Sequence, residues 1–558
     1  MTQQRDELPT AARTARDRAK PAESRGRASS EPKQAKHPEL EHAARRARDW
    51  LLRESPLAHT RFGRDVRARA MALERARLSR LPTQVRGLEL SAEAIGTMLR
   101  GHPPVPADAK LAPSPPAPSP LMGHFETFTA GPQRLRAILE LRETYGDVVR
   151  LRFGALTGHL VCDPELVQEV LHTRNREFGK ETRGMRKLRL VLGLGLLTSE
   201  GSFWLRQRRI AQPAFHKKRI AGFAQGMVDA AEDMVARWED GATLDAHQEM
   251  MKVTLRIVGQ TLLGTDVTSD ADRIGAAVSH IVEDVNERVN KLVDLGPPFP
   301  SRRNLAFERA MDTLDAVVLD MIAARRASGV TGDDLLGMFM EVADEETGER
   351  MTDAQLRDEV MTIFLAGHET TANALSWALY LLGTSPDVWR KLTAEVDAVL
   401  EGGRRATPAD FARLTYTQQV VQETMRLYPP AWLIARAPYE DTTLGGYFLP
   451  AGSLVFLPPW IVHRHPDHWE SPEGFDPDRF APGADANRHR FAYFPFGGGP
   501  HQCIGNNFAL MEAVLILATI ARDFRLDLVP GFAVVPDPQV TLRPRDGVRV
   551  VARRRTRA

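Results

Sequence analysis

Apolar residues at helical spacing dominate the chain from residue 134 onward, and a short alternating stretch interrupts them. Residues 352–382 and 506–520 are apolar enough for buried helices, and residue 134 begins another helical pattern. Residues 148–161 alternate around a turn, which predicts a β-hairpin. In residues 219–345, long helical segments are broken at Gly264, at 297–300 and near 331–332. The pattern predicts long helices joined by loops, with a small amount of β-structure near residue 150.

The first 102 residues differ from the rest of the chain. Residues 1–37 are polar and hold almost no large apolar side chains, so we expect disorder there. Two weakly amphipathic, arginine-rich stretches follow, and residues 1–102 carry net charge +9 in a chain of net charge +2. A membrane-surface helix, a docking arm for an acidic partner, a nucleic-acid tail and a dispensable solvated extension all fit this composition. There is no nucleic-acid-binding motif, so we expect no nucleic-acid partner.

Residues 103–120 contain eight prolines in eighteen positions, which predicts a semi-rigid linker. We therefore divide the chain into an extension (1–102), a Pro-rich linker (103–120) and a catalytic domain (121–558).

Composition narrows the class of protein and its surroundings. The hydrophobic fraction is 43%, and the only cysteines are Cys162 and Cys503, which form no disulfide framework. The N-terminus has no secretory h-region, and no apolar run approaches the ~20 residues that cross a bilayer. We therefore expect a cytoplasmic protein without a transmembrane segment.

The most specific motif is the stretch FGGGPHQCIG, which ends at Gly505. Its glycines and proline exclude a regular helix or strand before Cys503, and an apolar helix follows. Such a loop can hold a thiolate with backbone amides directed at the sulfur, which suits an axial ligand to heme iron. The alternative is an ordinary buried cysteine beside a Gly-rich turn.

Other polar residues stand at informative spacings. Trp204 and Arg208 share one helix face and could bind a carboxylate together, although a structural ion pair would use the same spacing. The sequence AGHETT, which includes Glu369 and Thr370, interrupts the apolar helix 352–382 and predicts a local distortion with room for a small ligand. A solvated polar turn is the alternative.

Three histidines stand within six residues, at His463, His465 and His468. They lack a Cys/His partner set at zinc-ligand spacing, so we interpret them as structural.

The loop with Phe496, Gly499, Cys503 and Gly505 closely resembles the heme-binding loop of the cytochrome P450 family. The WLRQR, AGHETT, ETMR and FDPDRF segments also match family motifs in family order, so the resemblance runs from about residue 121 to near the C-terminus. It implies the cytochrome P450 fold, which is mainly α with a smaller β region, and heme b as cofactor.

The resemblance also implies residue roles. Cys503 would be the axial ligand of the heme iron, and Glu369 and Thr370 would form the acid–alcohol pair that delivers protons. Residues with further contacts to the cofactor would be Trp204, Arg208, Arg436, Phe496, Gly499, His501 and Gly505. The cluster that holds the cysteine loop would be Glu423, Arg426 and Arg479. The apolar substrate pocket would include Met361, Phe364, Leu365, Ala366, Trp432, Leu433 and Ile434.

His501 departs from the family pattern, which has arginine at this position in most members. Because an ordinary histidine titrates near neutral pH, we expect its contact with a heme propionate to depend on pH.

The reaction class that the resemblance implies is monooxygenation of a hydrophobic small molecule such as a fatty acid or terpenoid. Electrons would come from a separate ferredoxin- or flavodoxin-type donor with its reductase, and we expect a monomer. Arg206, Arg209, Lys217 and Lys218 could form the donor's docking face, or simply a solvated basic surface. A peroxygenase or isomerase, a heme sensor, and an interaction module centred on residues 1–102 are the alternatives.

Overall fold

The structure is a computed structural model. It describes residues 105–556 except 120–121, 130, 155, 265–270, 292–293, 295, 298–300, 330–333, 342–347 and 349. The predictions for residues 1–102 lie outside these described residues. Among the described helices, none is both long and apolar enough to cross a membrane.

The helices make up most of the described chain. They are α1 (Phe125–Thr129), α2 (Gln133–Tyr145), α3 (Pro164–Gln168), α4 (Arg183–Leu192), α5 (Gly201–Ala211), α6 (Lys217–Val235), α7 (Ala246–Ile257), α8 (Ala271–Val289), α9 (Arg302–Ser328), α10 (Leu335–Glu341), α11 (Asp353–Thr384), α12 (Pro386–Val399), α13 (Thr415–Leu427), α14 (Pro459–Val462) and α15 (Asn506–Asp523). Short π-helical turns extend α3 and α7, over Glu169–Thr173 and Val258–Leu262.

The strands form small sheets. They are β1 (Val148–Phe153), β2 (Leu156–Val161), β3 (Phe178–Gly179), β4 (Thr243–Asp245), β5 (Ile434–Pro438), β6 (Thr442–Leu444), β7 (Tyr447–Leu449), β8 (Leu454–Leu457), β9 (Phe524–Leu528), β10 (Pro536–Pro538), β11 (Leu542–Pro544) and β12 (Arg549–Arg554). One sheet has the order β1-β2-β8-β5-β3, another β4-β12-β9, and β6-β7 and β10-β11 are hairpins. In the largest sheet only β2 and β8 run parallel.

The local predictions for the apolar segments are confirmed. The predicted hairpin is β1–β2, with Val148 opposite Val161 and Phe153 opposite Leu156. Helix α11 starts directly after Thr352, whose side chain accepts a hydrogen bond from the Gln355 N–H while Gln355 accepts one from the Thr352 N–H. This capping box satisfies two backbone donors that a helix start otherwise leaves unpaired.

Helix α11 is the centre of the helical layer, because it packs against α7, α9, α13 and α15. Apolar side chains cover most of its circumference, as expected of a helix surrounded by protein. Those of α11 and of its neighbours form one large buried cluster, and the strands of the largest sheet enclose a second.

The described part of the Pro-rich stretch contacts the domain. The Lys110 carbonyl accepts a hydrogen bond from Phe448 N–H at 2.8 Å, and the Pro113 carbonyl accepts one from Arg150 N–H at 2.8 Å. Ala112, between them, is buried. The chain therefore contacts β1 and β7 before residue 121. The division of the chain into an extension, a linker and a catalytic domain stays a prediction.

Candidate functional site

Cys503 lies on the irregular loop that leads into α15. Its backbone N–H donates to the Phe496 carbonyl at 2.9 Å, and Arg208 donates to the neighbouring Gln502 carbonyl at 2.9 Å. The side chain of Cys503 is exposed by surface area, yet enclosure by protein atoms raises the pKa of its thiol. Both observations fit a side chain that faces an enclosed space inside the protein. The Gly505 N–H and the Arg208 charge oppose the effect of burial, and both favour a thiolate.

Gly499 and Gly505 of the loop meet different surroundings. Gly499 has φ +66, and a Cβ added there would lie 1.8 Å from the carbonyl oxygen of Leu171. Gly505 has φ −89, and the atom nearest to an added Cβ is a ring carbon of Phe215 at 3.7 Å. Gly499 is therefore required by the close approach of two backbone segments, whereas Gly505 is not required by its surroundings in the chain.

The middle of α11 opens towards a space as well. Ala366 is exposed although it stands in a buried helix, and Thr370, one turn later, is partly exposed. The Thr370 hydroxyl donates to the Ala366 carbonyl at 2.6 Å. The helix nevertheless runs as regular α-helix from Asp353 to Thr384. The predicted local distortion is therefore wrong, because this side-chain hydrogen bond is accommodated without a break.

Glu369 points to a different side of the helix from Thr370. Its Oε1 accepts a hydrogen bond from the Thr541 hydroxyl at 2.5 Å, and Thr541 in turn accepts one from Asn373 Nδ2 at 3.1 Å. Burial raises the pKa of Glu369, and the Thr541 hydrogen bond and the Arg543 charge lower it in part. The acid and the alcohol of AGHETT thus each have a partner of their own, and Thr541 was not found by sequence reasoning.

Five residues with cationic or ring nitrogens surround one buried region beside the cysteine loop: Lys180, Trp204, Arg208, Arg436 and His501. The rings of Trp204 and His501 lie 3.9 Å apart, and the Lys180 ammonium lies 5.9 Å from the Trp204 ring. Lys180 donates to the Leu197 carbonyl at 2.9 Å, and Arg436 donates to its own strand, at the Ala435 carbonyl.

Positive charges in this group lower the pKa of Lys180 and of His501. Burial, with Arg436 as the next largest cause, lowers the pKa of Lys180 to about 7. Burial and the charges of Lys180, Arg436 and Arg208 lower the pKa of His501 to about 3. The pH dependence of its contact with a heme carboxylate stays a prediction, because an anionic partner would oppose these positive charges. Buried cations in such a group are stabilised by an anionic ligand, so the carboxylates of heme b fit this region.

Sequence reasoning did not identify Lys180 as a residue of this site. It follows β3, in which Gly179 pairs with Ala437 of β5, so it stands opposite Arg436. A single lysine outside any motif carries no signal of its own, and only the strand pairing brings it to the cluster.

Glu423, Arg426 and Arg479 come together as predicted. Arg426 donates to both Glu423 oxygens, at 2.7 and 2.8 Å, and both side chains are fully buried. Its other N–H groups donate to the carbonyls of His463, Pro472 and Gly474. All five guanidinium donors are thus used. Arg479 Nε lies 3.5 Å from Glu423 Oε1, an ion pair without the geometry of a hydrogen bond.

The predicted substrate residues fall into two groups. Leu365, Ala366, Leu433 and Ile434 keep accessible surface. Met361, Phe364 and Trp432 are packed in the hydrophobic clusters at 0%, 1% and 3% exposure. Their place in the substrate pocket stays a prediction, because the structure packs all three among other hydrophobic side chains and shows no ligand beside them. Trp432 also donates its indole N–H to the Gln539 carbonyl at 2.8 Å.

Two of the three neighbouring histidines, His463 and His465, contact separate loops. His463 accepts a hydrogen bond from the Phe494 N–H at 2.9 Å, and His465 lies 3.1 Å from Asp147. In the part of the chain that the structure describes, no group of His, Cys, Asp and Glu side chains is arranged to hold a metal ion.

Two carboxyl groups near the start of α11 fix the segment between α4 and α5. Asp358 accepts a hydrogen bond from the Leu194 N–H, and Glu359 accepts from the Leu196 N–H and from Gln207. Glu359 is 1% exposed, and burial raises its pKa to about 7.

Comparison with known proteins agrees with this site. The family model for cytochrome P450 matches residues 113–548. Cyclooctatin synthase of Streptomyces melanosporofaciens is 40% identical over 76% of this chain and 92% of its own length. Pentalenene oxygenase of Streptomyces avermitilis is 32% identical over 75% of this chain and 92% of its own length.

A solved structure, the heme domain of cytochrome P450DA, aligns with a TM-score of 0.74 at 29% identity and covers 80% of this chain and 98% of its own. The mainly α architecture with smaller sheets is thereby confirmed as the cytochrome P450 fold. The chain belongs to the cytochrome P450 family, and it is a heme b-dependent monooxygenase.

Proposed function

We propose that the protein inserts one atom of O2 into a hydrophobic terpenoid, with Cys503 as the iron ligand and with electrons from a separate donor protein. The observation that carries this proposal is the position of Cys503. Its side chain faces an enclosed space from a loop that Arg208 and the Phe496 carbonyl hold in place. The similarity to monooxygenases over more than 70% of the chain supports the same reaction class.

Heme b would lie between the cysteine loop and the exposed face of α11 at Ala366 and Thr370. When bound, it would supply the iron chemistry that activates O2. Its carboxylates would be bound by Lys180, Arg436, Arg208, Trp204 and His501, where neighbouring positive charges lower the pKa of Lys180 and of His501. Opposite charge at short range would relieve this repulsion and hold the cofactor in one orientation.

Protons would pass through Glu369 and Thr370. The raised pKa of Glu369 keeps its carboxyl group closer to protonation at neutral pH than an exposed glutamate. The Thr370 hydroxyl faces the open side of α11, where it can donate a proton after it releases the Ala366 carbonyl. Glu423, Arg426 and Arg479 would take no part in the chemistry, because Glu423 and Arg426 are fully buried and paired with each other, and Arg479 forms an ion pair with the same Glu423.

The substrate pocket would be apolar. Leu365, Ala366, Leu433 and Ile434 have accessible surface and offer mainly carbon atoms to a ligand. Relatives are named for cyclooctat-9-en-7-ol and pentalenene, which supports a terpenoid over a fatty acid.

The electron donor would be an acidic ferredoxin- or flavodoxin-type protein. Arg206 and Arg209 lie on α5, the helix whose Arg208 reaches the cysteine loop, and the exposed Lys217 and Lys218 begin α6. A basic surface next to the thiolate would bring the donor close to the iron. We propose further that the protein acts as a cytoplasmic monomer.

Carbon monoxide binding to the reduced protein tests the cysteine assignment. We expect the red-shifted Soret absorption of a cysteinate complex, and we expect Cys503→Ala to abolish it while Cys162→Ala leaves it intact. An unchanged spectrum in Cys503→Ala would refute the ligand assignment.

A binding screen tests the substrate. We expect diterpenes and sesquiterpenes to shift the spin state of the heme iron at lower concentrations than fatty acids of similar size. Tighter binding of the fatty acids would refute the terpenoid proposal.

A further inference from the structure

A polar cavity of about 410 Å³ lies between α7, α8 and the β10–β11 hairpin, and its floor is a side of α11. Lys252 and Asp546 line it where it meets solvent, and both are exposed. His368, Glu369 and Asn373 line its floor, with exposures of 1%, 8% and 0%. The cavity therefore leads from the surface to the buried carboxyl group of Glu369.

Its floor is suited to hold water. His368 Nδ1 and Asn373 Oδ1 are buried and have no hydrogen-bond partner in the described protein. Buried polar atoms of this kind are usually satisfied by ordered water. The volume allows on the order of ten water molecules, at roughly 30 Å³ each.

Thr541 fixes the carboxyl group at this floor. It stands in the turn between β10 and β11, 172 positions from Glu369 in the sequence, and is 8% exposed. The Asn373 amide donates to the Thr541 oxygen at 3.1 Å, and the Thr541 hydroxyl donates its single proton to Glu369 Oε1 at 2.5 Å. Both neighbours therefore determine the direction of the hydroxyl.

The two sides of α11 are distinct at this point. Ala366 and Thr370 are four positions apart and share the partly exposed side, while Glu369 and Asn373 are four positions apart and share the side of the cavity. Thr541 thus holds the acid away from the alcohol and next to the water of the cavity.

We propose that Thr541 is a positioning residue that keeps Glu369 at the floor of this cavity during the reaction. This inference rests on the role proposed above for Glu369. Hydroxylation consumes two electrons, two protons and one O2, and yields one hydroxylated product and one water. Release of hydrogen peroxide consumes the same electrons, protons and O2. The fraction of electrons that ends in hydrogen peroxide therefore reports where the protons are delivered, not how many are delivered.

Several charged or titratable groups face Glu369 or line the cavity with it, and the variants below leave all of them in place: Asp245, His247, Lys252, Glu283, His368 and Arg543.

An infrared titration tests the hydrogen bond between Thr541 and Glu369 in protein that is not catalysing the reaction. The carbonyl band of the protonated Glu369 is assigned by its loss in Glu369→Gln and is followed against pH. Thr541→Val preserves shape but removes the donor to the carboxylate, so we expect the midpoint to rise by about one pH unit or more. Thr541→Ser retains the hydroxyl, and its midpoint should equal that of the parent protein. An unchanged midpoint in Thr541→Val would overturn the proposal.

Product balance tests the positioning role in turnover. We expect Thr541→Val to raise the share of electrons that end in hydrogen peroxide at least threefold, while Thr541→Ser restores the parent value. If Glu369→Gln leaves this share unchanged, the role of Glu369 is wrong. If Glu369→Gln raises it and Thr541→Val does not, only the positioning role is wrong.

Discussion

Replacement of Arg426 by alanine is the perturbation whose effect on the free energy of unfolding can be worked out most directly. The guanidinium makes two hydrogen bonds to Glu423 and three to backbone carbonyls, and both side chains are fully buried. Removal of one partner from a buried ion pair costs about 3–5 kcal/mol, because the other charge stays buried without compensation. Each carbonyl that loses its donor adds up to about 1 kcal/mol.

We therefore expect Arg426→Ala to lower the free energy of unfolding by about 5 kcal/mol. Domains are commonly stable by only about 5–15 kcal/mol, so much of the chain should unfold and fail to retain heme. Arg426→Lys should recover only a small part of the loss, since an ammonium offers three donors instead of five in a planar fork.

Arg479→Gln is the matched comparison within the same cluster. Arg479 contacts Glu423 at 3.5 Å without hydrogen-bond geometry, and its side chain is 13% exposed. We expect a loss of about 1 kcal/mol, because this contact lacks hydrogen-bond geometry and Glu423 keeps both hydrogen bonds from Arg426.

Urea unfolding followed by circular dichroism, at matched heme occupancy, measures these losses. Heme content per chain after gel filtration is the second measurement. Equal destabilisation by Arg426→Ala and Arg479→Gln would refute the reasoning, as would full stability of Arg426→Lys.

Three further predictions follow from the geometry of the site. Gly499→Ala should lower the free energy of unfolding by at least about 2 kcal/mol in urea titrations, since it forces a side chain into a left-handed conformation against a backbone carbonyl. Gly505→Ala should lower the free energy of unfolding by less than about 1 kcal/mol, and equal losses in the two variants would contradict the conclusion that only Gly499 is required by its surroundings. Lys180→Gln should accelerate transfer of heme to apomyoglobin at least tenfold, whereas Lys217→Gln, at an exposed position, should not. Glu359 has a pKa raised from 4.5 to about 7, so the folded state keeps a proton that the unfolded state has released, and stability falls as the pH rises through this window. Glu359→Gln removes this effect. Relative to that of the parent protein, its free energy of unfolding should therefore rise by about 1–3 kcal/mol between pH 5 and pH 8. A difference that does not change with pH would refute this prediction.

Local sequence was sufficient for the elements and for the motif residues. The period of the apolar residues predicted α11 and α15, and the alternation around residue 155 predicted the β1–β2 hairpin. The spacing of three positions on one helix predicted the contact between Glu423 and Arg426, whereas the contact with Arg479 was implied by the resemblance to the cytochrome P450 family. These inferences hold because positions three or four apart on a helix, or next to a glycine or proline, are fixed by backbone geometry alone.

Tertiary structure decided which side of each element is used. Phe364 and Leu365 are adjacent and both apolar, yet the first is packed in the core and the second keeps accessible surface. Apolarity marks both as buried and does not tell a core from a ligand pocket, because the same side chains serve either. The packing of α11 against its neighbouring helices made the distinction.

Partners far apart in the sequence were likewise fixed only by the fold. Lys180 joins Arg436 because β3 pairs with β5, and Thr541 reaches Glu369 across 172 positions because the β10–β11 turn packs on α11. The sequence by itself determined the family, the helices and the motif residues, since each is written in short-range spacing. The contacts that set the charge and orientation of Glu369 and of the buried cations depend on how whole elements pack, and no local spacing encodes that arrangement.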